Sequence, residues 1–206
     1  VGTYTVGATD TSAGLTVSGF SIGTVADTYG NAMSSATLPA SSSIFGSKTI
    51  VIDTTAPTVA SFTTATATGS YNADEAIVIT ANTSEAIQND NTITVTLNTG
   101  DTVVLTAPSA GTTLVGTYTV GGGDTSAGLA VSSFSIGTVA DTAGNAMSST
   151  VLPASGAIFG SKTIIIDTTS PTVASFTTAT ATGSYNQAEE IVISTNTNEA
   201  IQSGNT

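Results

Sequence analysis

Thr49-Ile50-Val51-Ile52-Asp53-Thr54-Thr55-Ala56-Pro57 returns 114 residues later as Thr163-Ile164-Ile165-Ile166-Asp167-Thr168-Thr169-Ser170-Pro171. Each copy opens with an apolar β-branched quartet of the kind that fits a strand. A polar Asp-Thr-Thr hinge follows, and then a proline. Proline fixes its own φ, holds the preceding residue extended and lacks an N–H, which suits the first residue of a strand. The stretch therefore reads as the last strand of one unit, a hinge, and the first strand of the next.

Working outward, the offset holds without a gap. Residues 1–92 align with 115–206, and 73 of those 92 positions are identical. A tandem repeat governs every local reading. Residues 54–167 form one complete unit. Residues 1–53 are the C-terminal part of a preceding unit, and 168–206 are the N-terminal part of a following one. The expectation is that these residues are a window on a longer polypeptide. A unit of this size can bury its own core.

Charge is sparse and one-sided, with 14 acidic residues against Lys48 and Lys162. A nucleic-acid partner needs clustered Lys and Arg, and an anionic membrane surface asks for the same. Neither is expected, and no run is long enough for insertion into a membrane. Cysteine is absent, so no disulfide staples the units.

Short apolar alternations separated by Gly, Asn, Asp, Ser and Pro clusters predict an all-β unit. The expected strands are A at 58–63, B at 76–80, C at 92–97, D at 102–106, E at 114–120, F at about 129–139 and G at 163–166. Residues 69–72 read as a turn, and 82–91 as a polar loop. Asn98-Thr99-Gly100-Asp101 reads as a hairpin turn, with Gly100 able to take positive φ. Asp141-Thr142-Ala143-Gly144-Asn145 reads as a compact turn with Gly144 left-handed. Residues 147–161 carry Pro153 and two glycines and suggest a broken or edge segment.

Seven strands with turns this frequent match the immunoglobulin-like sandwich pattern. The chain resembles the tandem immunoglobulin-like repeats of giant bacterial surface adhesins and biofilm-associated proteins. The residues that carry the likeness are Ile52-Asp53-Thr54-Thr55-Ala56-Pro57, the Asp-x-x-Gly-Asn turns at 27–31 and 141–145, the Ser84-Glu85 and Asn198-Glu199 pairs, and Tyr-Thr-Val-Gly at 4–7 and 118–121. The resemblance implies tandem antiparallel β-sandwiches in an extracellular rod or stalk at the bacterial cell surface, often stiffened by Ca²⁺ at the joins. The chain departs from that pattern in its few aromatics and in the long segment before strand G.

Catalysis is not expected. His and Cys are both absent, which excludes Ser-His, Cys-His and His-metal sites. Glu75 and Glu85 lie near opposite ends of strand B, about 30 Å apart at the rise of an extended chain, too far for paired-carboxylate hydrolysis. A glycan- or protein-binding adhesive module is the first alternative, but there is no Trp, and the recurring Tyr4/Tyr118 and Tyr71/Tyr185 read as packing residues with hydroxyls reaching solvent. The second is a filament subunit completed by strands from a neighbouring chain. The expected partners are neighbouring repeats of the same chain or fibre, with a surface glycan or protein as the target under the adhesive reading.

Strand direction in a sandwich of this kind leads to a Ca²⁺ site at each joint. The loop after strand B places Glu85 at the pole where Asp53 enters, and the turn after strand F brings Asp141 and Asn145 there. Asp10 faces this joint from the preceding unit. At the next joint, Glu75 and Asp124 face Asp167 and Glu199. Carboxylates this close repel one another, and Ca²⁺ accepts six to eight oxygens in loose geometry.

Overall fold

A computed structural model describes residues 1–39, 45, 48–154 and 158–203. In chain order its strands are β1 (Val59–Thr63), β2 (Gly69–Tyr71), β3 (Ala76–Ile87), β4 (Thr92–Leu97), β5 (Thr102–Thr106), β6 (Gly111–Thr119), β7 (Thr125–Ser126), β8 (Val131–Ile136), β9 (Ile164–Asp167), β10 (Val173–Thr177) and β11 (Ser194–Thr197). The protein is all-β.

The β4–β5 hairpin follows its alternation. Ile93, Val95 and Leu97 point into the core, and the threonines between them lie on the half-exposed face. Ile93 stands opposite Leu105, and Val95 opposite Val103. Gly100 closes the turn at φ 99°. On its other side β4 pairs with β8, which sets Val95 against Phe134 and Leu97 against Val131. Fully burying each such side chain contributes about 1.5–3 kcal/mol.

The large sheet has the order β1-β3-β6-β5-β4-β8. Its edge strands are five steps apart, about 24 Å in a flat sheet. Yet the rings of Phe62 on β1 and Phe134 on β8 are 5.8 Å apart, edge to face. The sheet therefore curls on itself around one core, with the β4–β5 hairpin in the curve. A glycine permits the tightest approach. A Cβ on Gly116 would lie 2.5 Å from the Val104 carbonyl oxygen and 2.6 Å from Leu105 Cδ2.

A small sheet, β2-β9-β7, shares that core through Tyr71, Ile164 and Ile166. Here two expectations are corrected. Residues 69–71 are a strand rather than a turn, and they pair parallel with β9, so the unit is not antiparallel throughout. The cause lies in residues 64–68, where the first strand steps from one sheet to the other. Thr64 Oγ1 donates to the Val78 carbonyl at 2.6 Å, and Thr66 Oγ1 accepts from the Val78 N–H at 3.0 Å. Those hydroxyls replace the ladder partners that Val78 loses. Lys162 Nζ donates to the carbonyls of Thr64 and Thr66, at 2.8 and 2.9 Å.

Strand B also differs. It continues as β3 to Ile87, through residues read as a loop, because its polar side chains find partners along the strand. Asn82 Nδ2 donates to Ser61 Oγ and Thr63 Oγ1, and Thr83 Oγ1 donates to the Glu85 carbonyl. The broken segment expected at 147–161 carries no strand among its described residues; 155–157 lie outside them.

The flanks repeat parts of this pattern. β10 and β11 pair as β1 and β3 do, with the same irregularity after the first pair. In residues 1–53 the bridges Ser12–Ile52 and Ala26–Ala32 repeat Ser126–Ile166 and Ala140–Ala146.

Candidate metal centre

Three elements meet where the chain enters the complete unit. The hinge supplies Asp53, the far end of β3 supplies Glu85, and the turn after β8 supplies Asp141. Each offers a carboxylate oxygen within 4.8 Å of the others. Asp141 is 1% exposed. Its Oδ1 accepts the N–H groups of Gly144 and Asn145 at 2.6 and 2.8 Å, and its Oδ2 accepts Asn145 Nδ2 at 2.8 Å. Gly144, at φ 97°, adopts the left-handed conformation that aims these N–H groups at the carboxylate. Burial pushes the Asp141 carboxyl up, but the hydrogen bonds from Asn145, Gly144 and Ala143 outweigh it, and the group stays below the ordinary aspartate range.

Glu85 behaves oppositely. Burial first, and then the charges of Asp53 and Asp141, hold its carboxyl above the ordinary glutamate value. Its Oε1 is buried with no hydrogen-bond partner. Asp53 Oδ1 accepts the Thr55 N–H at 3.0 Å, and its carbonyl accepts Asn145 Nδ2 at 3.0 Å. Asn145 is thus a tether between hinge and turn, and its amide nitrogen is committed to Asp141 and Asp53. At 4.8 Å each carboxylate pair repels by about 1 kcal/mol even under water-like screening. A hard divalent cation bound by carboxylate oxygens reverses that sign. An orphaned, partly buried carboxylate oxygen beside two more acids fits such an ion.

The other sequence candidates are placed elsewhere. Asp10 accepts the Tyr4 hydroxyl and the Gly7 N–H. Asp124 accepts the Tyr118 hydroxyl and the Gly121 N–H, both at 2.6 Å. The tyrosine hydrogen bonds hold both carboxyls low. The Tyr118 hydroxyl therefore does not simply reach solvent as expected; burial and Asp124 push its pKa up. Glu75 Oε2 accepts the Asn72 N–H and closes its own turn. Asp167 Oδ1 accepts the Thr169 N–H, as Asp53 does from Thr55, and Glu199 Oε1 is buried without a partner, as in Glu85. The second joint thus repeats two of the three acids. Among the described residues no second group of three acids converges.

Some supporting residues escaped the sequence reading. Gln88 Nε2 donates to the Asp141 carbonyl at 2.8 Å, and Asn91 Nδ2 bridges the carbonyls of Gln88 and Ala140. Thr168 Oγ1 donates to the Asp124 carbonyl and accepts from the Gly123 N–H, each at 3.0 Å, while Thr54 Oγ1 donates to the Asp10 carbonyl. The hinge threonines clamp each joint to the unit before it. Their recurrence in Asp-Thr-Thr was the available signal.

Comparison with protein-family models, with curated proteins and with solved structures finds no match.

Proposed function

We propose that the chain is a structural repeat segment of an extracellular fibre, stalk or surface adhesin, with immunoglobulin-like units stiffened by Ca²⁺ at their joints. The observation that carries this reading is the Asp53–Glu85–Asp141 group. It joins the hinge, the end of β3 and the turn after β8. A cation held there cross-links the entering chain to the body of the unit and restricts the angle between neighbours. Ca²⁺ is the ion of choice because its coordination is loose and all-oxygen, whereas Mg²⁺ demands strict octahedral geometry.

The supporting facts are the near-identical repeat, the hinge clamps at Thr54 and Thr168, and the absence of His and Cys. A stalk repeat needs reach and stiffness more than a reactive group. The test is small-angle scattering of the chain with excess CaCl₂ and with chelator, for the wild type and Asp53→Ala. The wild type should be longer and stiffer with Ca²⁺, and Asp53→Ala should not respond. Scattering profiles indifferent to Ca²⁺, or specific retention of the chain on a glycan array, would remove the stalk reading in favour of an adhesive module.

A further inference from the structure

Residues 168–203 present an apolar face that the same residues hide in the complete unit. Phe176 is 70% exposed and Ile193 is 69% exposed, whereas their counterparts Phe62 and Ile79 are both at 0%. Phe176, Ile191 and Ile193 line one open apolar groove. Residues 1–53 show the reciprocal set. Tyr4, Val17 and Phe20 are exposed, while their counterparts Tyr118, Val131 and Phe134 are buried. Within residues 54–167 these two sets cover each other: Ile77 stands opposite Tyr118, and Phe62 meets Phe134. The chain therefore carries both halves of a proven contact, one on either side of the complete unit, and neither is engaged.

The backbone tells the same story. β3 is paired on both sides, by β1 and by β6. β11 is paired by β10 alone. Its free edge, and the segment before it, offer N–H and C=O groups to an added strand, a mode in which main-chain bonds supply affinity and side-chain pockets supply specificity.

We propose that residues 168–203 of one copy bind residues 1–53 of a second copy, head to tail, in the register of the complete unit. The repeat offset fixes that register. Ile77–Tyr118 and Val78–Thr117 translate to Ile191–Tyr4 and Val192–Thr3. The parallel pairing of Gly69–Tyr71 with Ile164–Ile166 translates to Gly183–Tyr185 with Ile50–Ile52. The acceptor is preformed, because Thr178 and Thr180 already hold the backbone of Val192 as Thr64 and Thr66 hold Val78. Lys48 of the second copy then reaches the carbonyls of Thr178 and Thr180, as Lys162 reaches Thr64 and Thr66. The composite has no equivalent of β4, β5 and the first part of β6. It buries less apolar surface than the complete unit, so the association is reversible.

Docking brings Asp27 of one copy beside Asp167 and Glu199 of the other, so the assay is run in excess CaCl₂ to offset their repulsion. Sedimentation velocity of the whole chain, over about 1–100 µM to span a contact of modest size, reads the association. The wild type should shift to dimers and longer oligomers as concentration rises. Phe176→Asp and Phe20→Asp should each sediment as monomers. An equal mixture of the two should form dimers and nothing longer, because one free head and one free tail remain. Both side chains are exposed in the single chain, so an unchanged melting transition for 54–167 verifies that each variant folds. A monomeric wild type across the range, association of either variant like the wild type, or a mixture that stays monomeric would overturn the proposal.

Discussion

Phe62 and Phe176 occupy the same place in two nearly identical sequences, and their surroundings differ completely. Around Phe62, strands from 92–136 close over β1 and β3, and the ring is sealed against Phe134. Around Phe176 the same β1–β3 pairing is copied residue for residue in β10 and β11, with nothing on top. Local chemistry survives in the flank: the register, the step-over hydroxyls and the hinge bond to Asp167 are all repeated. What does not survive is burial, which needs residues some 70 positions away in sequence. Hydrogen-bonded turns are thus properties of the motif, while the core is a property of the complete unit.

The sharpest way to break that comparison is paired truncation. Phe62→Ala should cost about 3–5 kcal/mol of unfolding free energy, the range for removing a buried aromatic ring. Phe176→Ala in the monomeric chain should stay within about 0.5 kcal/mol, as surface changes do. Chemical denaturation of both variants at low concentration checks this; equal losses would mean that the flank shares the core. A second pair sets Gly116 against Gly2. Alanine at 116 drives a methyl into the Val104 carbonyl and should cost about 1–3 kcal/mol. Alanine at 2, where no atom lies within 4 Å, should be neutral.

A smaller effect separates the two acids of the joint by pH. The Glu85 carboxyl is raised in the folded state, so its stabilising contribution is complete below the ordinary value of 4.5 and is lost as pH rises through its folded value. With chelator, acidifying from neutral towards 4.5 should therefore raise the melting temperature, and Glu85→Gln should remove that part of the rise. Asp141 is lowered, so its contribution holds above the ordinary 3.8 and is lost as pH falls through its folded value. With Ca²⁺ the first trend should reverse, because protons then compete with the ion for Glu85.

Much of the unit was legible because its signals were local. β4 and β5 have the predicted bounds, since alternation and the Asn-Thr-Gly-Asp turn both act within a few residues. β2 and β7, at three and two residues, are too short to show a period, and only their pairing with β9 makes them strands. The far half of β3 was read as a loop because Asn82, Thr83, Ser84 and Glu85 are polar. In the fold their polar groups satisfy one another along the ladder. At the site, the sequence argument from strand poles reached Asp53, Glu85, Asp141 and Asn145. It grouped Asp10 and Asp124 with joint ligands because it passed over the tyrosine six residues and the glycine three residues before each.

The claim that matters most is that the Asp53–Glu85–Asp141 group takes up a divalent cation and locks the joint. Calcium titration of the chain by calorimetry, with the melting transition followed alongside, tests it most directly. One saturable site is expected at this joint, and at a hundredfold excess over its dissociation constant Ca²⁺ should add about 2.7 kcal/mol, or about 10 °C in melting temperature. Glu85→Gln and Asp53→Asn should each abolish both signals. A heat of binding no greater than dilution, or a wild-type melting temperature unchanged between excess Ca²⁺ and chelator, would contradict the account.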